Sequence, residues 1–573
     1  MATHPTWVRK IFIALGIAGI LVSLLMLSLQ LWVQPVVDQT VRLGLSQLHD
    51  QGYDIDYQKL KFQPFRKVIV LEDVSVTIDT TQHRQKKFFA GELKRLAIKL
   101  DKYPYWETDR FLSIRQISLQ QPTVWLYPSD SSTKPAQLPE ATNYYSLIQP
   151  FLDSLLIANI QIKDGIVKRI NHDAQYSDTL EIAGINLDLE DLFIDSLQAS
   201  HNQGRPSVAS LVISADSLRR LSNDSLYTFS VARVNINVLD STVRLRDVRV
   251  QPNFSKNEWR KHLDDRKDRM QSHVAAVQIT GVSPSRWIDS RQLISERISI
   301  DSATLEIYKD KRLRRASGGI RPLLPALLQS VPFQFRVDTI TLSDSRIVYE
   351  EQNTESEHAG SISFDRFYAS LYRTSNIADP ESVFEANIQA NLMNSGRLQL
   401  SVTAPLNRTD EYHKVTGELD QMPLDKMNSF LEPVAFASVQ TGTLNKLSFD
   451  MDVTNQSAEG EVYCIYNDLK ISLLNPDDPD KPEIRELLGT WLANWFVVKT
   501  DNPTRNQSLR VGSIYFERDT SRSMFSYWCH SLLSGLKESI GLSKPGETTA
   551  MAPPPTEEKK ERPGLFKRLF KKK

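Results

Sequence analysis

The chain has 573 residues, 40% of them hydrophobic and 24% charged, with 69 basic and 69 acidic side chains and two cysteines. That length exceeds what one core fills, so several domains or one elongated architecture is expected. A formal charge of zero excludes nucleic-acid binding through a globally basic surface, and two cysteines exclude a scaffold built on disulfides.

The first element is the run Ile11–Val33, which contains no charged residue. As a helix at ~1.5 Å per residue it is about 34 Å long, enough to cross a ~30 Å hydrocarbon core. Arg9 and Lys10 precede it, and Trp7 and Trp32 lie near its ends. Basic residues stay on the cytoplasmic side of a membrane and tryptophans sit at headgroup level. The run is longer than the core of a signal peptide and leaves without a small-x-small cleavage site, which favours an uncleaved anchor. Residues 1–34 are therefore expected to form a cytoplasmic terminus and a transmembrane helix, with the rest of the chain exported.

Val37, Val41, Leu45 and Leu48 then recur at helical spacing, and Gly52 supplies a stop, predicting a short helix. Over Lys67–Ile78 the apolar period becomes two, and strand patterns dominate from there to about Asn475. One unit recurs: Φ-x-Φ-x-x-s-x-Φ-x-Φ, with Φ apolar and s small or a turn former. It fits Ile117–Leu126, Ile236–Leu245, Ile298–Ile307 and Ile340–Tyr349, and more weakly Ile160–Val167. The pattern predicts a strand, a tight corner and a second strand, hence a long series of antiparallel hairpins. An ordinary β-sandwich is the alternative.

Two segments interrupt this pattern. Thr142–Leu156 suits a short helix broken at Pro150, and the polar Asn257–His273 suits a solvated helix or loop. A basic loop around Arg312–Arg315 separates an N-terminal β region (35–320) from a C-terminal one (321–475), and the apolar Leu323–Leu328 suits a sheet edge or the mouth of a groove. Phe384, Ala386, Ile388, Ala390 and Leu392 share a strand face, and Asn394–Gly396 is a turn signal. In Glu461–Leu474 the apolar face switches between Tyr466 and Leu469, which a bulge at Asn467-Asp468 accommodates.

Residues 476–542 leave the strand pattern, with an amphipathic helix over Pro482–Lys499, a strand at Ser513–Phe516 and an aromatic-rich helix ending near Gly541. Residues 543–573 read as a disordered linker closed by a basic amphipathic tail. Leu565, Phe566, Leu569 and Phe570 fall on one helical face beside Lys567 and Arg568, the form of a membrane-surface contact; a solvated tail is the alternative.

No catalytic constellation emerges. P-loop, GxGxxG, GxSxG and HExxH patterns are absent from the sequence, and its ten histidines show no metal-ligand spacing. Ser534 and Lys537 match SxxK in isolation, and Cys529 and His530, adjacent on a helix, point apart. The expectation is a protein with no catalytic residue, metal or cofactor. Cys464 and Cys529 are expected as free thiols, with one bridge left open.

The stretches GYDIDYQKLKFQPFRKVIVLEDVSVTI, RFLSIRQISLQQPTVWLY, VTGELDQMPLDKMNSFLEP, GTLNKLSFDMDV and EGEVYCIYNDLKISLL, behind an N-terminal membrane helix, together resemble the AsmA-like family of inner-membrane-anchored envelope proteins with TamB- and YhdP-type members. The resemblance implies a mainly β fold, an elongated, twisted antiparallel sheet forming a trough with an apolar interior. It also implies a periplasmic body that handles lipid, phospholipid being the candidate, in support of envelope biogenesis. A non-enzymatic scaffold that binds other envelope proteins through sheet edges is the second reading.

Overall fold

The computed structural model describes residues 34–39, 41–42, 53–78, 88–102, 110–127, 144–150, 152–170, 179–197, 206–314, 319–377, 379, 382–474, 498–505 and 508–541. The predicted anchor, residues 482–497 of the predicted amphipathic helix and the C-terminal tail lie outside them. The protein is mainly β and divides into two compact units. The first is Met1–Ala316, Ser330–Asn394 and Pro433–Ala435; the second is Ser317–Gln329, Ser395–Glu432 and Phe436–Lys573.

The first unit contains strands β1 (Tyr53–Gln63), β2 (Val68–Ile78), β3 (Phe88–Leu100), β4 (Phe111–Tyr127), β5 (Ser154–Ile170), β6 (Thr179–Asp195), β7 (Ser210–Ala215), β8 (Ser217–Leu221), β9 (Tyr227–Asn237), β10 (Thr242–Pro252), β11 (Arg269–Thr280), β12 (Leu293–Asp310), β13 (Phe335–Gln352), β14 (Gly360–Ser375) and β15 (Val383–Leu392). Helices α1 (Tyr144–Ile148), α2 (Lys256–Trp259) and α3 (Pro284–Ser290) lie in its connections. Most neighbours in sequence pair antiparallel, and the short β7 and β8 lie end to end between β6 and β9. The expectation of a wholly antiparallel sheet needs correcting: β4–β5 and β12–β13 pair in parallel, so the sheet is mixed. A parallel step requires a long connection, and long segments separate β4 from β5 and β12 from β13 in the sequence.

The recurrent motif also needs correcting. Only Ile236–Leu245 is a hairpin, with β9 ending at Asn237 and β10 starting at Thr242. The other four copies lie inside the unbroken strands β4, β5, β12 and β13. In place of a corner, each has one residue in the left-handed region: Gln121, Asp164, Ser302 and Asp344, with φ between 45° and 56°. Such a residue re-aims the pleat, so side chains three apart rather than two apart share a face. Tyr57 and Leu60, Leu71 and Val74, and Leu93 and Leu96 all meet in one cluster across β1–β3, where Asp73 is the left-handed residue. A Cβ on Gly165 would lie 3.3 Å from both Ile162 and Pro122, placing Gly165 and Ile162 on one face across Asp164.

These bulges expose an internal repeat. Strands β1–β6 and β9–β14 share one plan: four antiparallel strands, a parallel step, then an antiparallel strand. Left-handed residues fall at matching register positions, Asp73 with Asp247, Gln121 with Ser302, Asp164 with Asp344, Gly184 with Arg366 and Asp191 with Arg373. Apart from the glycine, these residues bear a Cβ that disfavours this backbone region. Ser302→Gly is accordingly expected to raise first-unit stability by roughly 0.5–1 kcal/mol and Ser302→Val to lower it, in denaturant melts.

Two helix expectations shrink. Among the described residues of Thr142–Leu156 only α1 is helical, Leu155 and Leu156 belonging to β5. Asn257–His273 is not solvated throughout: Trp259 of α2 is buried, donates its indole N–H to Lys267 O (2.9 Å) and meets Tyr227 edge-on at 5.3 Å, and Arg269 opens β11. Residues 34–39 and 41–42 are helical, in line with the predicted helix after the anchor. Val37 and Val41 pack on the Tyr57–Leu60–Leu71–Val74 cluster. Tyr57 Oη donates to Asp38 Oδ1 (2.7 Å), a bond that lowers the Asp38 pKa, while burial pushes Tyr57 up to about 12.

The second unit holds β16 (Gly396–Pro405), β17 (His413–Pro423), β18 (Ala437–Val453), β19 (Ser457–Leu473) and β20 (Val511–Glu517), paired antiparallel in that order. Helices α4 (Leu324–Gln329), α5 (Asn428–Ala435) and α6 (Met524–Ser539) accompany them. The bulge predicted at Asn467-Asp468 is present: Asp468 has φ 52°, and Tyr466 and Leu469 are both buried. Helix α6 starts at its Ser523 cap and lies tightly on β19 and β20. A Cβ on Gly535 would sit 2.7 Å from Val462 and 2.9 Å from Ile514, and one on Gly512 would lie 1.9 Å from the Gly535 carbonyl oxygen.

His413, at the start of β17, is wholly buried under α6. Its Nδ1 donates to Glu411 O (3.0 Å) and its Nε2 accepts the Trp528 indole N–H (2.9 Å), the tautomer following from these partners. Desolvation holds its pKa below the ordinary 6.5. The unfolded chain therefore takes up a proton that the folded state refuses, and stability falls as pH drops below about 6.5, by up to ~1.4 kcal/mol per pH unit. His413→Gln keeps an acceptor for Trp528 without titrating, so its urea midpoint is expected to lose less than wild type between about pH 7 and pH 5.

Candidate functional site

The register of the first unit sets one aliphatic residue from each of fourteen strands into a single cross-strand row. Its members, each the partner of the next, are Leu60, Leu71, Leu96, Leu119, Ile162, Leu187, Ile213, Ile236, Val243, Ile279, Ile298, Ile340, Leu371 and Ala386. At ~4.8 Å per strand the row runs on the order of 60 Å. Rows on the same face flank it: Ile69, Ile98, Ile117, Ile160, Leu189 and Leu211 on one half, and Val234, Leu245, Val277, Ile300, Leu342, Ala369 and Ile388 on the other.

The opposite face is polar. Asn186, Ser214, Asn235, Arg244, Gln278, Ser299, Thr341, Ser370 and Asn387 form the corresponding row. The sheet is thus amphipathic across its strands as well as along them, and the left-handed residues keep the long strands in phase with this division.

Burial separates this face from an ordinary core. The eleven row members from Leu96 to Leu371 are only half-buried, whereas in the second-unit row Val402, Val415, Met451, Gly460 and Ile514 all four side chains beside the glycine are buried. Fully burying a Leu or Ile is worth ~1.5–3 kcal/mol, so covering eleven half-buried ones would yield on the order of 10 kcal/mol. Eleven aliphatic side chains of this face thus remain partly open to solvent.

On the polar face the first bulge line opens a crease of about 680 Å³, lined by Asp56, Asp73, Glu92, Asp164, Lys94 and Gln121 among others. Among the described residues no cluster of three or more His, Cys, Asp or Glu has metal-binding geometry. Ser534 Oγ is committed within the fold, donating to Ser531 O (2.6 Å) and accepting from Tyr515 N (3.2 Å). Both ring nitrogens of His530 are engaged, with Ser526 O (2.7 Å) and Arg522 Nη1 (2.8 Å). Cys464 on β19 is buried and Cys529 on α6 half-buried, both free, and burial pushes the Cys464 thiol up to about 12.

The candidate membrane residues Trp7, Arg9, Lys10 and Trp32, and the tail residues Leu565, Phe566, Lys567, Arg568, Leu569 and Phe570, lie outside the described residues. Among those described, no helix is long and apolar enough to cross a membrane. Sequence reasoning missed the row itself. Its signal, the apolar positions either side of each x-x pair, was visible, but the cross-strand register was not. No protein-family model matches the chain, and no curated protein matches it either.

Proposed function

We propose that this chain is a non-enzymatic, membrane-anchored lipid carrier of AsmA-like type, holding acyl chains along the apolar face of its first-unit sheet. The observation that carries the reading is the fourteen-strand aliphatic row with its half-buried centre. A hydrocarbon ligand gains the full apolar contact of such a face and asks for no hydrogen bond, which suits a row that offers none. The polar rows opposite keep the other side solvated.

The charge-free run Ile11–Val33 supports an inner-membrane anchor with its N-terminus in the cytoplasm and the body in a periplasm. Headgroups would remain in water while the chains lie on the sheet, so a phospholipid is the expected cargo. The full chain, purified in a detergent that strips annular lipid, is expected to retain phospholipid in native mass spectrometry. A preparation that is folded and carries none sinks the reading.

A further inference from the structure

The two rims of the first-unit sheet differ in a way the lipid-carrying face does not explain. One rim is formed by the ends of β1, β3, β6, β9 and β11 and the starts of β2, β4, β5, β10 and β12, as their register requires. It bears Phe65, Phe111, Leu197, Val208, Leu239 and Trp287, all exposed; Phe65, Leu197 and Leu239 are 64%, 71% and 69% so. They stand at turns and strand ends, where a soluble loop has no need of large apolar side chains. At the opposite rim Leu126, Phe229 and Met270 are exposed, but only to 38%, 39% and 46% and within strands, while the β8–β9 turn carries Asn223 and Asp224 and the loop after β13 carries Thr354, Glu355 and Glu357.

Basic side chains accompany the apolar tips. Arg66, Lys102, Arg286 and Arg291 are exposed on the same rim, and the Arg291 guanidinium lies 5.6 Å over the Trp287 ring. Exposed Asp153 and Asp240 share the rim, so apolar insertion rather than net charge is the main attraction.

The chain path points the same way. Gln34 Nε2 donates to Leu60 O, near the rim end of β1, whereas Arg42 pairs with Asp56, farther from it. The helical segment therefore runs away from the apolar rim, and its first residue, which directly follows the run Ile11–Val33, lies toward that rim. Exposed aromatic and aliphatic tips with interspersed arginine, at the end where a membrane-length apolar run joins, match a bilayer interface.

We propose that this rim seats on a lipid bilayer, the one that Ile11–Val33 is expected to cross, so that the apolar rows run alongside the headgroup level and lipid passes onto them across the rim. The inference rests on the reading of the chain as an anchored lipid carrier. The test uses the full chain carrying Cys529→Ser in vesicles of phosphatidylcholine and phosphatidylglycerol. Leu197→Cys or Leu239→Cys reports on this rim, Asn223→Cys or Glu355→Cys on the other, each labelled with an environment-sensitive fluorophore.

Lipids brominated on the acyl chain are expected to quench the probes at 197 and 239 roughly threefold more than those at 223 and 355, with aqueous iodide showing the reverse order. Equal iodide access at all four positions, or no lipid quenching at 197 and 239, overturns the inference. Phospholipid retained by the same preparation, measured by mass spectrometry, reports separately on the carrier reading. Bound lipid with unquenched rim probes rejects the docking alone, and quenched probes with an empty sheet reject the carriage alone.

Discussion

Ile162→Asp and Ile298→Asp, made singly, are each expected to strip bound lipid from the protein while leaving the first unit folded. Both residues sit in the aliphatic row, on β5 and β12, and both are half-buried. A carboxylate there keeps access to water in the empty protein, so the folding cost is the lost apolar burial plus the poor strand propensity of Asp, roughly 2 kcal/mol. With an acyl chain laid over it, the same carboxylate must be desolvated against hydrocarbon. Insertion scales put that at ~2.5–3.5 kcal/mol, or on the order of 100-fold in occupancy. Ser214→Asp, on the polar row, should leave lipid retention unchanged. Lipid counted by mass spectrometry beside a denaturant melt decides it. Equal retention by all three variants would mean that the row is not where the lipid lies.

Gly512→Ala is expected to disrupt the second unit far more than its one-carbon change suggests. The new Cβ would lie 1.9 Å from the Gly535 carbonyl oxygen, a backbone atom of α6 that moves only if the helix lifts from β19 and β20. Overpacking against backbone costs roughly 3 kcal/mol or more. The partner change, Gly535→Ala, should be milder. Its Cβ meets the Val462 and Ile514 side chains, which can shift, and the alanine recovers up to ~1 kcal/mol of helix propensity. Urea melts followed by tryptophan fluorescence should rank Gly512→Ala below Gly535→Ala, and the opposite order would mean that the helix does not pack as described.

Much of the fold was legible because alternation is a local property. The strands, the bulge at Asp468, the helix Met524–Ser539 and the break between Leu392 and Gly396 all follow from periods and turn formers within a few residues. The hairpin reading of Ile117–Leu126, Ile298–Ile307 and Ile340–Tyr349 failed for a physical reason. Residues such as Gln121, Ser302 and Asp344 suit a two-residue turn and a single left-handed step inside a strand equally well. Which occurs depends on whether a neighbouring strand continues alongside, and that is set by register with segments dozens of residues away. The parallel steps were hidden for the same reason, since long connections after β4 and β12 look alike whichever way the next strand runs.

The candidate site was legible only in part. Each strand announced one apolar face, but that Leu119 meets Ile162 and Ile298 meets Ile340 is a cross-strand fact. Nor does periodicity reveal that this face is left half-buried while that of the second unit is covered by Tyr527 and its helix.

The most direct test is photo-crosslinking in living cells from a benzophenone amino acid placed at single positions. The row positions Leu119 and Ile279 are compared with the polar-face positions Ser214 and Thr341. Lipid adducts at 119 and 279, with none at 214 and 341, are the predicted result. Adducts to protein alone at 119 and 279 would show that a polypeptide covers the apolar face, and the lipid-carrying account would be wrong.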